Sequence, residues 1–374
     1  MRIESIEVIN TRLPLKSEFS ISRGSVADKS VGAPHIFIKL IADSGLIGWG
    51  ECRPSHRWSY ETEESVVSTL RNYIVPSILG MDITDIQSIH KVMDTEIAPS
   101  THPGQPIAKS SIDLAIHDLL AKNKDQTLYE YFGSNKKVHL PLCYTVFANR
   151  PDEAGKIVSS AVAEGYKCFK VKLGHDSIVE DIRILEAIVK NASDGIIWAD
   201  PNQAYNVENT IKYSSEFSDL GVHYLEQPIS AGDITGHQKI KDHCDIPIAV
   251  DESIFSIDTL NEFITRKAAD VFVVKVCKMT GLYRAREAIS LALESGLEVL
   301  ASSLTESRLA MAAGASLFSS FDLEVPMDLN GWQFLADDIT SGGVIVDNGE
   351  IRLEGLPGLG AEINEDKILS FKRK

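Results

Sequence analysis

The clearest pattern in the chain is an alternation of short apolar runs with amphipathic stretches, between about residues 138 and 328. Each run has the length of a buried strand, whereas the stretches between runs carry apolar residues at the spacing of a helix face. Eight strands that alternate with helices over roughly 200 residues favour a (β/α) barrel over an open sheet. The predicted strands span residues 138–146, 168–172, 196–200, 222–226, 247–251, 271–275, 297–301 and 323–328.

The first third of the chain has a different pattern, with strands first and helices afterwards. Residues 1–15 alternate as a long strand does, and residues 35–51 predict a hairpin. Predicted helices span residues 62–73, 83–93 and 107–122. The first of them is expected to stop before Pro76, because the residue before a proline disfavours the helical conformation. This part therefore predicts an α+β domain of three strands and several helices.

The alternation weakens after residue 328. Two short apolar runs, 344–346 and 351–353, flank a turn and predict a hairpin, which we expect to return to the first domain. The expected organisation is an α+β domain of residues 1–125, joined by residues 345–374, and a barrel of residues 126–344.

Charge narrows the range of partners. The formal net charge is −16, and this argues against a nucleic-acid surface or an anionic membrane as partner. A small anionic substrate remains compatible with this charge, because a local cation can reverse the field inside a cleft.

Cysteine usage and hydropathy indicate a cytoplasmic protein. The five cysteines are an odd number without zinc or redox spacing, and we interpret them as reduced thiols. The N-terminus has no signal-peptide core, and no apolar run approaches the roughly 18 residues of a membrane span.

Three carboxylates stand at the ends of consecutive predicted strands, at Asp200, Glu226 and Asp251. Because the carboxyl ends of parallel barrel strands meet at one mouth, we expect these side chains to converge. One acidic residue at a strand end is more often a helix cap or a surface group. Three in a row, without Cys or His, favour a site for Mg²⁺ or Mn²⁺, whose charge would offset their repulsion.

Lysines flank these carboxylates along the chain. Lys170 and Lys172 share one face of their predicted strand, and Lys275 would face the site from the opposite side. The alternative for the first two is a solvated pair that points outwards. A lysine near a divalent cation and a second lysine has its pKa lowered towards the range of a general base. The metal would then stabilise the enediolate formed when one lysine removes the proton α to a carboxylate, and the other lysine could return a proton on the opposite face.

These motifs resemble those of the enolase superfamily, in its muconate lactonizing enzyme subgroup, and the resemblance covers nearly the whole chain. The matching pieces are residues 170–172, 199–203, 225–228, 250–253, 274–275 and 280–281. The resemblance implies a modified (β/α)7β TIM barrel with an N-terminal α+β capping domain that the C-terminal segment completes.

The resemblance also implies roles for single residues. It implies Mg²⁺ on the three carboxylates, with Lys172 and Lys275 as paired acid–base catalysts. Lys170 would assist as a charge, and Asn202 would support the site from nearby. Residues 16–33 and 52–60 would correspond to the loops that close over a small carboxylate substrate. The resemblance further suggests a homo-oligomer, either a dimer or an octamer.

Members of the subgroup do not share one reaction. They include muconate cycloisomerases, o-succinylbenzoate synthases, N-succinylamino acid racemases, and dipeptide and proline-betaine epimerases. We favour racemisation or epimerisation of an amino-acid derivative, such as an N-acyl amino acid or a dipeptide, because bases on both faces allow inversion. Muconate-type cycloisomerisation and β-elimination are the alternatives, since these need only one lysine as a base. A non-catalytic barrel that only binds a carboxylate is a further alternative, against which the complete set of ligands and lysines argues.

The substrate itself is less well specified by the sequence. Dipeptide epimerases resemble one another in an Asp-x-Asp at the end of the last barrel strand, which holds the substrate ammonium. Here the chain has Asp328-Leu329-Asn330, so one carboxylate is missing. For Glu306 and its neighbour Ser307, helix capping is an equal alternative to substrate contact. The candidate substrate-binding residues are Arg53, His56, Arg57, Trp58, Asn202, Glu306, Asp328 and Asn330. For the four residues of the loop 52–60, exposure to solvent or packing between the domains is an equal alternative.

Overall fold

The N-terminal domain is built on a three-stranded antiparallel sheet in a computed structural model that describes residues 1–100, 102–134 and 139–373. Its five strands are β1 (Ile3–Leu13), β2 (Phe19–Ile21), β3 (Gly24–Ala27), β4 (Ala33–Ala42) and β5 (Ile47–Cys52). The sheet has the order β1-β4-β5, and β2 and β3 form a separate small hairpin. The predicted long strand and hairpin are therefore confirmed. The polar stretch of residues 16–33 contains the β2–β3 hairpin in addition.

Helices cover one side of this sheet. They are α1 (Glu63–Thr69), α2 (Val75–Ile78), α3 (Ile86–Glu96), α4 (Pro106–Asn123) and α5 (Leu128–Tyr131). The prediction that the first helix stops before Pro76 is wrong, because the helical path continues to Ile78. A π turn over Leu70–Ile74 precedes the proline, and the N–H of Val75 donates to the Leu70 carbonyl. This wider turn accommodates a ring that would clash with the preceding turn of a regular α-helix.

The barrel is a parallel sheet of seven strands that follow one another in chain order. Its elements and the strand before it are β6 (His139–Pro141), β7 (Tyr144–Val146), α6 (Pro151–Ala163), β8 (Cys168–Lys172), α7 (Ile178–Asn191), β9 (Ile196–Asp200), α8 (Val207–Asp219), β10 (Tyr224–Glu226), α9 (Ile234–His243), β11 (Ile248–Val250), α10 (Ile257–Arg266), β12 (Val271–Lys275), α11 (Leu282–Glu294), β13 (Glu298–Ser302) and α12 (Arg308–Phe318). The barrel predicted from the alternation is confirmed, in the modified form that the family resemblance implies.

The structure differs from both strands predicted at the seam of the barrel. The strand predicted over residues 138–146 is divided, and only β7 belongs to the parallel sheet; residue 138 lies outside the described residues. The strand predicted over residues 323–328 is reduced to Met327 and Asp328, which follow Pro326. Met327 bridges Leu142 and Asp328 bridges Ser302, so this short segment joins the two edges of the sheet.

The C-terminal segment contacts both parts of the molecule. Its elements are α13 (Gly331–Phe334), β14 (Thr340–Gly342), β15 (Val344–Asp347), β16 (Glu350–Leu353), β17 (Ala361–Ile363) and α14 (Glu365–Ser370). The predicted hairpin is present as β15 and β16, but it pairs with β6 beside the barrel. The last residues lie along β1, where the backbone N–H of Arg12 donates to the Phe371 carbonyl and the backbone N–H of Arg373 donates to the Asn10 carbonyl. The exact domain boundaries stay a prediction.

Three apolar cores hold these layers together. One lies between the barrel strands and their helices, a second lies inside the N-terminal domain, and a third fills the barrel around Trp198. Among the described residues, no helix combines the length and the apolar character that crossing a membrane requires.

Two carboxylates of the N-terminal domain lie at the N-termini of barrel helices. Glu51, in β5, accepts hydrogen bonds from the backbone N–H groups of Ser307 (2.8 Å) and Ala310 (3.2 Å) at the start of α12. Asp113, in α4, accepts from the backbone N–H of Leu282 at the start of α11. The first N–H groups of a helix lack partners within it and carry partial positive charge, so both contacts fix the domain to the barrel.

Gly50 is a site at which the packing of α4 on β5 can be tested. A Cβ at this position would lie far inside contact distance of the Ser111 backbone in α4. Gly50→Ala should therefore lower the free energy of unfolding by about 1–3 kcal/mol, as overpacked cores do. Urea denaturation measures the change.

Gly355→Ala is the matched control, because a Cβ there meets no atom within 4 Å and the backbone is not in the left-handed region. If both variants unfold at the wild-type urea concentration, α4 does not need close contact with β5.

Candidate active site

The predicted charged residues all lie at the C-terminal end of the parallel sheet. Lys170 and Lys172 are on β8, Asp200 ends β9, Glu226 ends β10, Asp251 directly follows β11 and Lys275 ends β12. The strands place these side chains at one mouth because parallel strands end at the same edge. All of them except Lys172 are buried.

Lys170 is enclosed by three carboxylates. Its Nζ lies 2.8 Å from Glu226, 3.2 Å from Asp328 and 3.4 Å from Asp200, and it sits 4.3 Å above the centre of the Trp198 ring. Burial alone would lower its pKa, but the carboxylates outweigh burial and raise the pKa well above its usual value. With a side chain only 1% exposed, Lys170 is not the outward-pointing lysine of the alternative interpretation.

Lys172 extends further towards the cleft. Its Nζ lies 2.5 Å from an Asp200 oxygen and 3.1 Å from the side-chain oxygen of Asn202, and the side chain is 15% exposed. The backbone N–H of Asn202 donates to the other Asp200 oxygen at 2.9 Å. Asn202 thus contacts both members of the ion pair.

Lys275 approaches the cleft from β12. Its ammonium pairs with Asp251 and lies 4.9 Å above the Trp58 ring. Burial lowers the pKa of Lys275, but the Asp251 carboxylate outweighs burial, and the pKa lies above its usual value. The shift is opposite to the one expected from the sequence, because this lysine is paired directly with a carboxylate.

Three carboxylates come close enough together to share one cation, and two of them, Glu226 and Asp251, belong to the predicted three. Oxygens of Glu226, Asp251 and Glu252 lie within 4.8 Å of one another. Asp200 lies beside this group, with its oxygens bound to Lys172 and Asn202. Burial raises the pKa of Glu226 to about 8, assisted by Asp200 and opposed by Lys170.

This arrangement fits a hard divalent cation. All donors are carboxylate oxygens, the ligands that Mg²⁺ and Mn²⁺ prefer. One oxygen of Glu252 is buried without a hydrogen-bond partner. Burying an unpaired carboxylate oxygen is costly, and a cation bound to this oxygen would offset that cost. Glu252 was not predicted, yet its position next to Asp251 in the sequence was a usable signal.

Lys278 is a second residue that the sequence analysis missed. It lies in a 3₁₀ turn over Cys277–Met279, and its Nζ donates to the Asp251 carbonyl (2.7 Å) and carboxylate (2.9 Å). Asp251 is therefore held by two lysines, Lys275 and Lys278. The spacing of three residues, which suits one face of a 3₁₀ turn, was the available signal.

Gln227 fixes the backbone around these carboxylates. Its side-chain oxygen accepts from the N–H groups of Asp251 (2.9 Å) and Ser253 (3.2 Å), and its nitrogen donates to the Ile229 carbonyl (3.0 Å). One amide side chain thus connects the loops that follow β10 and β11.

Above the charged residues lies a cleft that side chains of both predicted loops and of the barrel line. The loops predicted to close over the site contribute Ile21 and Val26 from one side, and Arg53 and Trp58 from the other. The barrel floor contributes Lys170, Lys172 and Lys275.

A tight turn decides which residues of the second loop reach the cleft. The N–H groups of Trp58 and Ser59 both donate to the Ser55 carbonyl, and this turn leaves His56 and Arg57 exposed. Neither of these two lines the cleft, contrary to the prediction. Arg57 instead donates to the backbone carbonyl of Arg23 and so links the two loops (2.9 Å).

The remaining predicted residues lie at the barrel seam and behind the cleft. Asp328 and Asn330 line the cleft, whereas Glu306 lines a neighbouring cavity and accepts a hydrogen bond from the N–H of Leu304 (2.6 Å). Ser307 caps α12, as the alternative interpretation proposed.

Comparison with known proteins places this architecture in a family. The model for the Mandelate racemase / muconate lactonizing enzyme N-terminal domain matches residues 4–133, and the model for the Enolase C-terminal domain-like family matches residues 153–367. The chain belongs to the enolase superfamily.

Characterised relatives match nearly the full length of the chain. The chain is 32% identical to the N-succinyl-L-Arg/Lys racemase of Bacillus cereus, over 98% of this chain and 97% of that protein. The crystal structure of that racemase superposes with a TM-score of 0.93 and covers 100% of this chain and 99% of the racemase chain. An L-Ala-D/L-Glu epimerase of Clostridium acetobutylicum is 29% identical over 97% of this chain and 99% of that protein. A dipeptide epimerase of Cytophaga hutchinsonii, solved with Mg and the dipeptide D-Ala-L-Val, is 27% identical, with a TM-score of 0.92 over 100% and 99% of the two chains.

Cycloisomerases are also among the relatives of this superfamily member. A chloromuconate cycloisomerase of Pseudomonas putida is 26% identical over the full length of both proteins. The racemases, epimerases and cycloisomerases together identify the protein as an isomerase of the enolase superfamily.

Glu252 gives a direct test of the metal site. Glu252→Gln keeps the shape of the side chain and removes its charge from the group with Glu226 and Asp251. It should weaken binding of Mg²⁺ or Mn²⁺ by about 10- to 100-fold, the usual cost of altering a residue around a metal. Isothermal titration calorimetry on metal-free protein measures the affinity.

Glu208→Gln, on the exposed face of α8, is the control for the loss of one negative charge. Equal affinities for the two variants and the wild type would mean that Glu252 plays no part in holding the ion.

Proposed function

We propose that this isomerase is a Mg²⁺-dependent racemase or epimerase, with Mn²⁺ as a possible substitute, that acts on the carbon α to a carboxylate in an N-acyl amino acid. The observation that supports it best is the placement of Lys172 and Lys275. They arise from β8 and β12, between which three strands of the sheet intervene, yet both line the same cleft. A substrate carbon held between them would have an ammonium or amine group on each face.

In this proposal Asp200, Glu226 and Asp251 hold the metal, and Glu252 adds negative charge beside it. The bound ion would supply stabilisation of the negative charge that develops on the substrate carboxylate. Support comes from the oxygen-only donor set and from the Mg in the dipeptide epimerase structure.

The two lysines act in opposite protonation states. The lysine facing the α-proton must be neutral at Nζ to accept it, and the lysine on the other face must be an ammonium to donate one. Each turnover then inverts the carbon and exchanges the states of the two groups. Lys170 remains an ammonium among its three carboxylates, and its positive charge keeps them close together.

The cleft favours a substrate with more than one carboxylate. Its charged lining residues comprise Arg53 on the loop wall, Asp328 at the seam, and three lysines that are each paired with a carboxylate of the barrel mouth, Lys170, Lys172 and Lys275. An N-succinyl amino acid carries a carboxylate at each end, and the Bacillus cereus relative is named for such substrates. We therefore propose N-succinyl amino acids as the substrate class.

Deuterium exchange tests the proposed roles. N-succinyl derivatives of a panel of L- and D-amino acids, incubated with enzyme and Mg²⁺ in heavy water, should lose the α-proton signal in NMR and racemise. Lys172→Ala and Lys275→Ala should each slow exchange by about 10²- to 10⁴-fold, the usual contribution of a general acid–base group. Each variant should block exchange from one enantiomer more strongly than from the other.

Lys239→Ala, an exposed position on α9, is the control. Wild-type racemisation by both active-site variants would refute the assignment of the bases. A new constitutional isomer, or loss of water from a substrate, would favour the cycloisomerase or β-elimination alternative.

A further inference from the structure

A second pocket lies where the N-terminal domain packs on α11, and it shares no lining residue with the cleft. Three aromatic rings and two aliphatic side chains form much of its wall. They are Ile86, Leu120, Tyr131, Phe132 and Tyr283. Small-molecule sites are typically concave and apolar in this way, with a few polar groups that converge on the ligand.

His117, on α4, is one of the converging polar groups. Its Nδ1 donates to the backbone carbonyl of Asp113 (2.9 Å) and lies 3.2 Å from the Asp113 carboxylate. Both of these groups are acceptors, so Nδ1 carries a hydrogen. His117 is only 4% exposed, yet no group in the described part of the chain bonds its Nε2, which is left to face the pocket that His117 lines.

The surroundings of His117 favour its protonated form. Burial lowers the pKa of His117, but the Asp113 carboxylate outweighs burial, and the pKa lies above its ordinary value. A protonated imidazole donates from both nitrogens. Because Nδ1 is already bonded to Asp113, Nε2 can offer a charged N–H to a ligand.

Arg286, on α11, supplies a second cation. Its guanidinium lies 5.9 Å from the centre of the Phe132 ring, and the His117 ring lies 5.5 Å from the same ring. Among the described residues, no carboxylate lies within ion-pair distance of Arg286. Glu287, the carboxylate of the pocket wall, is exposed and directly follows Arg286 on the helix, so the two side chains point in different directions.

The two cations act on each other across this pocket. The charge of Arg286 opposes the protonation of His117, and the raised pKa of His117 persists in spite of it. An anion between the two groups would relieve this repulsion and accept a charge-assisted hydrogen bond from each.

We infer that this pocket binds an aromatic carboxylate, with its carboxylate between His117 and Arg286 and its ring among Tyr131, Phe132 and Tyr283. The cations select a negative charge, and the rings select a flat apolar body. The site is independent of the proposed racemisation, because it lies outside the cleft. A ligand here would bridge the N-terminal domain and α11, beside the contact between Asp113 and the start of that helix.

Fluorine-19 NMR titrations of three small probes test the site, with the full-length protein in buffer that contains Mg²⁺. The probe 4-fluorobenzoate should bind with a Kd of about 1 mM or tighter, as suits a ligand of this size. The neutral 4-fluorobenzyl alcohol and the non-aromatic trifluoroacetate should each bind at least about tenfold more weakly, because each lacks one half of the recognised chemistry.

Two variants assign the binding to this pocket. His117→Asn keeps a side-chain N–H for Asp113 and removes Nε2, and Arg286→Ala removes the guanidinium. Each should weaken binding of 4-fluorobenzoate by about tenfold or more, the usual cost of losing a hydrogen bond to a charged group. Arg183→Ala, exposed on α7, is the matched control for the loss of one positive charge. It should leave the affinity within about twofold of the wild type, because salt screens a distant exposed charge.

Several results would overturn the inference. One is the absence of binding at about 10 mM 4-fluorobenzoate. Another is wild-type affinity in Arg286→Ala, which would place the ligand elsewhere, the cleft included. An equal loss in Arg183→Ala would mean that net charge sets the affinity. Equally tight binding of the alcohol or of trifluoroacetate would refute the ligand class. Arg286 is exposed, so its variant decides the assignment even if His117→Asn does not fold.

Discussion

Compensation of buried like charges is the constraint on which the barrel mouth depends. Among the described residues, Asp200, Glu226, Asp251, Glu252 and Asp328 gather beneath one cleft, and Lys170, Lys172, Lys275 and Lys278 pair with them. Carboxylates this close cannot all stay ionised unless cations lie among them. The effect is seen in the raised pKa of Glu226 and in the strongly raised pKa of Lys170. Each lysine is therefore part of the electrostatic framework as well as a candidate reactant.

The same principle of paired charge joins the two domains. Glu51 and Asp113 each meet the N-terminus of a barrel helix and also contact histidines: His35 lies 2.6 Å from Glu51, and His90 lies 2.7 Å from Asp113. Because Glu51 belongs to β5, the loop that follows it begins at a point fixed to the barrel. Arg53 and Trp58 consequently reach the cleft from a firm anchor.

The sequence was most informative where a regular strand ends in a charged residue. Parallel strands have a fixed geometry, so the spacing of Asp200, Glu226 and Asp251 was enough to predict a common mouth. Glu252 and Lys278 lie two and three residues beyond their strand ends, where the local turn decides side-chain direction and strand periodicity no longer applies. Similarly, composition alone could not distinguish Trp58, which enters the cleft, from Arg57, which a tight turn directs outwards. Prolines caused two further departures: Pro76 lies within a helical path, and Pro326 precedes the shortened strand at the seam.

The division between a fixed anchor at Glu51 and the loop beyond it has a consequence for how such an enzyme can diversify. The contact between Glu51 and α12 is made to backbone N–H groups of the helix, whereas the loop beyond Glu51 reaches the cleft through its side chains, of which Trp58 lies against the Lys275 ammonium. Mutations at Arg53 or in the β2–β3 hairpin can therefore reshape the chamber above the barrel mouth while the proposed proton-transfer lysines stay in place, whereas a mutation at Trp58 would also change the surroundings of Lys275. A duplicated gene would start from working chemistry and explore new ligands through a few codons of these loops.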